Sequence, residues 1–106
     1  MPREKFQTLT EQMFYILLCL GEERCGADVM TEVSALTNGR VAVGPGTLYN
    51  LLDQFLRDGY IEETGTSGRR RSYRLTEKGR VLLREEYDRL RARIADYERR
   101  FGKGEA

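Results

Sequence analysis

The sequence predicts a mainly α-helical fold with a small β-hairpin and a long helix at its C-terminal end. Three observations support this prediction. Apolar residues recur at helical spacing in three segments before residue 59, two segments between residues 60 and 75 have the composition of strands, and a narrow apolar stripe continues to residue 101. Three helices followed by a hairpin is the element order of a winged helix-turn-helix, here extended by a dimerisation helix.

The length and composition are those of one structural domain with one core. The 106 residues are 40% hydrophobic and 33% charged, which is too apolar for a disordered chain. We expect residues 1–79 to form the winged helix-turn-helix and residues 80–106 to form the dimerisation helix and its tail. The net charge is only +1, but residues 40–80 contain eight Lys or Arg against five Asp or Glu. This basic excess in the middle of the chain indicates a contact surface for a polyanion.

The sequence contains none of the patterns that predict an enzyme. Histidine is absent, no glycine motif for nucleotides occurs, and no cluster has metal-ligand spacing, so we expect no cofactor and no metal. A signal peptide and an 18-residue apolar run are also missing, which predicts a cytoplasmic protein without a membrane span. The two cysteines, Cys19 and Cys25, indicate neither a disulfide framework nor a metal site. A redox switch at Cys25, beside Arg24, is an alternative.

The first helix is predicted from an apolar run between residues 13 and 20. These residues are apolar nearly all round, as expected of a central helix that packs on two sides. Thr8 and Glu11 stand three residues apart before this run, which is the spacing of a capping box. Gly21 is expected to end the helix, and residues 22–24 are expected to form a short polar link.

A second helix is predicted to begin at Gly26 and to end at Asn38 and Gly39. Its apolar residues form one stripe at helical spacing: Val29, Met30, Val33 and Leu36. Residues 40–44 are too few for another helix and alternate weakly between apolar and polar, so they predict an extended connector or a short strand.

A third helix is predicted for residues 45–58, because Pro45 suits the first position of a helix and Gly59 suits its end. On a helical wheel its apolar residues fall on one side: Leu48, Leu51, Leu52, Phe55 and Leu56. The other side carries Thr47, Tyr49, Asn50, Asp53, Gln54 and Arg57. Hydroxyl and amide groups there suit base edges and phosphates in the major groove of DNA, and the alternative is a solvated face.

The hairpin is predicted to consist of strands at residues 60–64 and 69–75 around a four-residue turn. Three adjacent arginines begin the second strand: Arg69, Arg70 and Arg71. They repel one another and folding gains nothing from their proximity, whereas contact with phosphate or with the minor groove would explain them. A solvated charge run is the alternative. Tyr73 on the same strand suits either a phosphate contact or packing of the wing on the core.

A long final helix is predicted to begin at a cap formed by residues 76–79 and to reach Phe101, with residues 102–106 as a frayed tail. Its apolar residues recur at spacings of 4, 3, 4, 3 and 4: Leu83, Tyr87, Leu90, Ile94, Tyr97 and Phe101. This is the a/d seam of a coiled coil, and most residues between are charged or small. We expect the near end of the seam to pack on the first helix and the far end to join a second copy in a homodimer.

With these elements placed, residues 9–101 resemble the PadR family of transcriptional regulators, in its shorter form with a single C-terminal helix. The resemblance rests on residues 59–62 and on two longer motifs, Val43-Gly44-Pro45-Gly46-Thr47-Leu48-Tyr49 and Arg69-Arg70-Arg71-Ser72-Tyr73-Arg74-Leu75-Thr76-Glu77-Lys78-Gly79-Arg80. It implies a homodimer that binds a palindromic DNA operator, usually as a repressor. Some relatives release DNA when they bind phenolic acids or flat aromatic drugs.

The candidate site residues follow from the motifs and from these implications. The residues that we expect at DNA are Pro45, Gly46, Thr47, Tyr49, Asn50, Gln54, Arg69, Arg70, Arg71 and Tyr73. The candidate lining for a small aromatic effector is Phe14, Tyr15 and Tyr87.

The chain departs from the family pattern at several positions. Gly44 stands where the family commonly has Ser, Asn50 stands where it usually has Pro, and residues 25–27 replace a His-Gly-Tyr sequence. Asp53, where the family often has a basic residue, would repel phosphate, so we expect the wing to supply more of the affinity. The chain contains no Trp, the residue that stacks on drugs in some relatives.

A winged-helix module for protein–protein interaction is the alternative function. In such a module the hairpin and the apolar seam of the final helix would bind other proteins. The arginines at the wing separate the two functions, because a protein-binding wing rarely needs three adjacent cations.

Overall fold

Within residues 8–103, which the computed structural model describes, the chain forms four helices and a three-stranded antiparallel sheet. In chain order the helices are α1 (Glu11–Cys19), α2 (Gly26–Leu36), α3 (Pro45–Arg57) and α4 (Glu77–Phe101). The strands are β1 (Arg24–Cys25), β2 (Ile61–Ser67) and β3 (Arg70–Leu75), in the sheet order β1-β3-β2. The predicted fold class, a mainly α winged helix-turn-helix with a long C-terminal helix, is confirmed.

The core lies between α1, α2 and α3, because each of these helices presents an apolar face to the other two. Ile16 and Leu17 of α1 are fully buried, in agreement with the central position predicted for this helix. The other two helices contribute the fully buried side chains Val29, Val33, Leu48 and Phe55. Because the apolar side of α3 faces this core, its polar side faces solvent.

The predicted capping box at the start of α1 is wrong, because Thr10 and not Thr8 caps the helix. The Thr10 hydroxyl accepts a hydrogen bond at 3.1 Å from the backbone N–H three positions later, and Glu11 is the first helical residue. The preceding residue explains the shift. Leu9 is buried, and its backbone N–H donates to the Glu86 carboxylate at 3.3 Å, which holds the chain extended up to the cap.

The sheet has a third strand that the sequence did not predict. Arg24 and Cys25, expected to end a polar link and to precede α2, form β1 and pair with Tyr73 and Ser72 of β3. Two residues are too few for a strand pattern, and their pairing depends on where the hairpin packs. Residues 40–44 form an extended connector, one of the two predicted alternatives, and no strand pairs with them.

The two-residue turn of the hairpin consists of Gly68 and Arg69, so the predicted four-residue turn at residues 65–68 is wrong. The residues on either side of the observed turn pair directly, and Gly68 has a φ of 62°. In one type of two-residue hairpin turn, the first of the two turn residues has a positive φ and is usually glycine. A bulge between Glu63 and Gly65 absorbs one extra residue and lets β2 continue to the turn.

α4 leaves the sheet at Thr76 and extends beyond the core. The Thr76 hydroxyl accepts from the backbone N–H of Gly79 at 3.1 Å, as the predicted cap requires, and donates to the carbonyl of Gly59 at 2.6 Å. Leu82 is buried against the core, whereas every side chain of residues 91–97 is exposed. The C-terminal part of the helix therefore has no role in the core of the single chain.

α4 also spans the boundary between the two parts that we expected within the domain, the winged helix-turn-helix and the dimerisation helix. It begins at Glu77, so the boundary expected between residues 79 and 80 falls inside its first turns. Of the expected tail, residues 104–106 lie outside the described residues. None of the helices within residues 8–103 is long and apolar enough to cross a membrane.

Candidate nucleic-acid interface

The exposed face of α3 carries the polar side chains predicted for it. The exposed or half-buried members are Thr47, Tyr49, Asn50, Asp53 and Gln54. The first turn of the helix, which begins with Pro45 and Gly46, is exposed as well, and Gly44 caps it without a side-chain hydrogen bond. The N–H groups that follow Pro45 are therefore open to an acceptor such as phosphate.

Tyr49 reaches from α3 to the N-terminal end of α2. A Cβ added to Gly26 would lie 2.8 Å from the Tyr49 ring and 2.9 Å from its hydroxyl oxygen. The ring thus contacts the backbone at the start of α2, and a glycine at position 26 allows this approach. The N-terminal end of a helix favours a negatively charged group, so α2 and the Tyr49 hydroxyl offer two kinds of anion contact side by side.

The wing carries the three predicted arginines, but two of them have acidic partners. Arg71 donates two hydrogen bonds to the Glu63 carboxylate, at 2.9 and 3.2 Å. Arg70 contacts the Asp28 carboxylate at 3.5 Å, and the Arg69 side chain, in the turn, forms no ion pair within residues 8–103. The premise that folding gains nothing from these arginines is therefore wrong for two of the three.

The pairing of Glu63 and Asp28 with the wing arginines was not predicted from the sequence. The pairing of Glu63 with Arg71 depends on the register of the hairpin. Because the turn was predicted at the wrong residues, the sequence did not indicate that these two side chains are near each other. Hydrogen bonds from Arg71 and from the Thr66 hydroxyl hold the pKa of the Glu63 carboxyl below its usual value. The same pair raises the pKa of Arg71, so both groups stay charged at neutral pH. A turn placed at residues 68–69 would have brought the two side chains near each other.

Tyr73 is almost wholly buried, although it forms part of the lining of a cleft between α2, α3 and the wing, so its contact with phosphate stays a prediction. Its side chain is only 3% exposed and belongs to the core. It lies in the central strand of the sheet, opposite Arg24 on one side and Glu63 on the other. Burial raises the pKa of its hydroxyl, which therefore stays neutral. The observed role is the predicted alternative, packing of the wing on the core.

A cleft of about 300 Å³ lies between α3, the N-terminal end of α2 and the wing. Tyr49 and Asp53 of α3 form part of its lining, and residues 69–71 of the wing form another part. The two surfaces predicted to contact DNA are thus brought together on one side of the molecule. Asp53 adds a negative charge within the same cleft, as the sequence indicated.

Both cysteines lie within the described part of the chain, and neither forms a disulfide bond. Cys19 and Cys25 are buried free thiols, and within residues 8–103 no three His, Cys, Asp or Glu side chains are grouped closely enough to hold a metal ion. Burial, with a smaller contribution from Glu32, raises the pKa of the Cys19 thiol. The Cys25 sulfur accepts a hydrogen bond from Arg70 at 2.7 Å, which links the wing to the start of α2.

The seam of α4 is covered at its near end and exposed at its far end. Leu83 and Leu90 are half-buried, and Leu83 packs against the core. The remaining members are 42–60% exposed: Tyr87, Ile94, Tyr97 and Phe101. Four large apolar side chains on one stripe of an otherwise charged helix form a surface suited to burial against another protein.

The three predicted effector residues do not line a single cleft. Phe14 borders two clefts, of about 380 and 350 Å³. Tyr15 borders only the first, together with the charged Arg93, and Tyr87 borders only the second, together with Leu18. The second cleft has the more apolar lining.

Comparisons with known proteins agree with this architecture. Residues 16–85 match the profile of a family described as Transcriptional regulator PadR-like family. No curated protein matches the chain significantly.

Solved structures of other regulators share the fold. A complex of RosR from H. salinarum, described as RosR-S1, is 27% identical with a TM-score of 0.63, over 85% of this chain and 77% of that one. A transcriptional regulator from Clostridium thermocellum is 18% identical with a TM-score of 0.73, over 86% and 96% of the two chains. A PadR family regulator from Eggerthella lenta is 22% identical with a TM-score of 0.68, over 89% and 81%. Because the family profile spans most of the described residues, the chain belongs to the PadR-like family of transcriptional regulators.

Proposed function

We propose that the protein is a homodimeric repressor that binds a palindromic DNA operator through α3 and the wing. One observation carries the proposal: the exposed face of α3 and the wing arginines border the same cleft, so they can contact one duplex together. Membership in a family of transcriptional regulators supports it. The proposal includes the absence of enzymatic activity and a cytoplasmic location, where the chromosome is accessible.

In this proposal the wing supplies affinity that does not depend on sequence. Guanidinium groups pair with phosphates and release counterions from DNA, so affinity falls as salt rises. Two arginines per protomer on phosphate predict a slope of log affinity against log salt of about −3.6, and three predict about −5.4. Because Asp53 repels phosphate within the cleft, the wing is the main source of this term.

α3 supplies discrimination between sequences. Thr47, Asn50 and Gln54 carry the hydroxyl and amide groups that hydrogen-bond to base edges in the major groove. Tyr49, held at the end of α2, contacts the sugar–phosphate backbone and fixes the register of α3 on the duplex. The two-fold symmetry of a dimer places its two α3 helices about 34 Å apart, one turn of DNA, so the operator half-sites share that spacing.

The test compares two variants on DNA that the protein selects from genomic fragments, its own promoter included. Replacement of Arg69, Arg70 and Arg71 by Ala should weaken binding to every duplex alike and flatten the salt dependence. Asn50→Ala should instead reduce discrimination between operator and unrelated DNA by about 1–3 kcal/mol, with the salt dependence unchanged. Fluorescence anisotropy of labelled duplexes at several salt concentrations measures both quantities.

The protein-interaction alternative predicts a different result. If the arginine-free variant binds promoter DNA as tightly as the wild type at physiological salt, or if the wild type selects no fragment, the repressor proposal is rejected. Circular dichroism of each variant shows that any loss of binding is not a loss of folding.

The cleft bordered by Phe14, Leu18 and Tyr87 is the proposed site of a small aromatic effector. Its lining is mainly apolar and includes the aromatic rings of Phe14 and Tyr87, which suits a flat aromatic molecule. A ligand that binds the folded state raises its Tm, so a thermal-shift screen of phenolic acids and planar aromatic compounds should give stabilised hits. A screen without one stabilised hit contradicts this part of the proposal.

A further inference from the structure

The Glu63 carboxylate and the Arg71 guanidinium form a well-defined clamp on the wing. Nε and Nη2 of Arg71 donate to the two carboxylate oxygens, at 3.2 and 2.9 Å. The Thr66 hydroxyl donates to the same carboxylate at 3.0 Å and fixes its orientation. Two parallel hydrogen bonds use the Nε–Nη2 edge of the guanidinium, one of the two edges that can pair with a phosphate, and Nη1 takes no part in them.

The three wing arginines therefore differ in their availability. The Arg69 side chain has no acidic partner within residues 8–103. Arg70 uses one nitrogen, Nη2, for a hydrogen bond to the Cys25 sulfur at 2.7 Å and for the contact with Asp28 at 3.5 Å. Among these arginines, Arg71 alone donates two hydrogen bonds to one carboxylate, and it borders the cleft in which Asp53 adds a second negative charge.

We propose that Glu63 limits sequence-independent DNA binding by holding Arg71 away from phosphate. This inference rests on the proposed function and assigns a role within it to a residue outside the predicted DNA-contacting set. In the wild type, Arg69 and Arg70 supply the phosphate contacts, and Arg71 contributes little.

The physical basis is competition between two anions for one guanidinium. A phosphate gains the Nε–Nη2 edge of Arg71 only if the clamp opens, and at the other edge the Glu63 charge offsets that of the guanidinium. Opening the clamp leaves the Glu63 carboxylate uncompensated beside a polyanion. Because every duplex presents the same phosphates, the clamp weakens binding to all sequences alike. The base contacts of α3 are unaffected, so the clamp lowers the affinity for all DNA and leaves the ratio of operator affinity to unrelated-DNA affinity unchanged.

Glu63→Gln is the direct test, and the neighbouring strand residue provides a matched control. Glu62 forms an ion pair with Arg74 at 2.8 Å, but adjacent residues of a strand point to opposite faces, and Arg74 does not border the cleft. Glu62→Gln therefore makes the same change of charge one residue away without freeing an arginine beside α3.

Glu63→Gln should raise the affinity for an unrelated duplex by about fivefold per protomer, the upper range for an exposed ion pair. The salt slope should steepen from about −3.6 toward about −5.4. Arg71→Ala should cost more affinity in the Glu63→Gln background than in the wild type, and in that background it should remove the whole gain, since the clamp no longer competes there with phosphate for Arg71. Glu62→Gln should leave both the affinity and the slope near the wild-type values.

Several outcomes would overturn the inference. Equal gains from Glu63→Gln and Glu62→Gln would mean a general effect of charge, and weaker binding by a folded Glu63→Gln variant would mean that Glu63 positions the wing for DNA. If Glu63→Gln fails to fold, Thr66→Val loosens the same carboxylate, and it should give a smaller gain with a steeper slope; no gain would count against the clamp. Failure of the wild type to bind any duplex rejects the proposed function, whereas wild-type binding without a change in Glu63→Gln rejects the clamp alone.

Discussion

Gly79, in the first turns of α4, allows the helix to approach the backbone of Tyr60, directly before β2. A Cβ at this position would lie 2.1 Å from the carbonyl oxygen of Tyr60 and 2.8 Å from Cδ2 of Leu75. Neither a backbone carbonyl nor a buried leucine can move that far, so Gly79→Ala should lower the free energy of unfolding by about 2–3 kcal/mol. Urea unfolding followed by circular dichroism measures the change.

Gly46 is the matched control for this prediction. It also lies in the first turn of a helix, but a Cβ there would meet no atom within 4 Å. Alanine has the higher helix propensity, so Gly46→Ala should raise the free energy of unfolding by up to about 1 kcal/mol. If the two substitutions change stability in the same direction, the contact with Tyr60 is not what requires glycine at position 79.

At the residue scale, the sequence predicted which side chains are exposed more accurately than which side chains pair with each other. The exposed positions of Thr47 and Asn50 follow from helical periodicity, which depends only on the local order of residues. The pair formed by Arg71 and Glu63 depends on hairpin register, and the burial of Tyr73 depends on a strand that joins the sheet from before α2. Neither arrangement leaves a local signal.

Thr10 and Thr76 cap the N-terminal ends of α1 and α4 in the same way, but their hydroxyl groups differ in the further hydrogen bonds that they form. Thr10 and Thr76 each accept a hydrogen bond from a backbone N–H at 3.1 Å, but only Thr76 also donates to the carbonyl of Gly59. Thr10→Ala should cost about 1 kcal/mol of unfolding free energy, whereas Thr76→Ala should cost about 2–3 kcal/mol because it also leaves that carbonyl without its partner. Thermal and urea unfolding measure both values.

Substitution by serine at the same positions keeps the hydroxyl and removes the methyl group, so it distinguishes the contribution of the hydroxyl from that of the rest of the side chain. Thr76→Ser keeps both hydrogen bonds and should lie within about 0.5 kcal/mol of the wild type. Equal losses for the two alanine variants would show that the bond to Gly59 contributes nothing to stability.

At the element scale, the sequence predicted helices more accurately than strands. The start of α2 and the last residue of α4 agree with the prediction, and α3 ends at Arg57, one residue earlier than expected. These bounds follow from periodicity and from glycine or proline at the ends. The two-residue strand β1 and the turn at residues 68–69 required knowledge of which segments pair, because such short elements are stable only within the folded sheet.

The whole molecule has one extended feature, the helix α4. Its 25 residues span about 37 Å, in a chain whose longest dimension is 53 Å. Leu82 and Glu86 are buried on the face toward α1, and the exposed seam lies on the adjacent face. Because the two faces are adjacent and distinct, α4 can pack against its own domain with one face and against a second copy of the chain with the other.

We expect this exposed seam to hold the homodimer together. Leu90→Glu combined with Ile94→Lys places charge at its centre, where burial would leave both groups without water, so the double variant should sediment as a monomer at micromolar concentration. Ala92→Glu is the control, because position 92 lies on the opposite side of α4 and should leave the dimer intact. Since each protomer contacts one half-site, the monomer should also lose most of the operator affinity while its binding to unrelated DNA falls less. A wild type that sediments as a monomer would reject the dimer and the two-fold operator with it, and a double variant that stays dimeric would place the interface elsewhere on the chain.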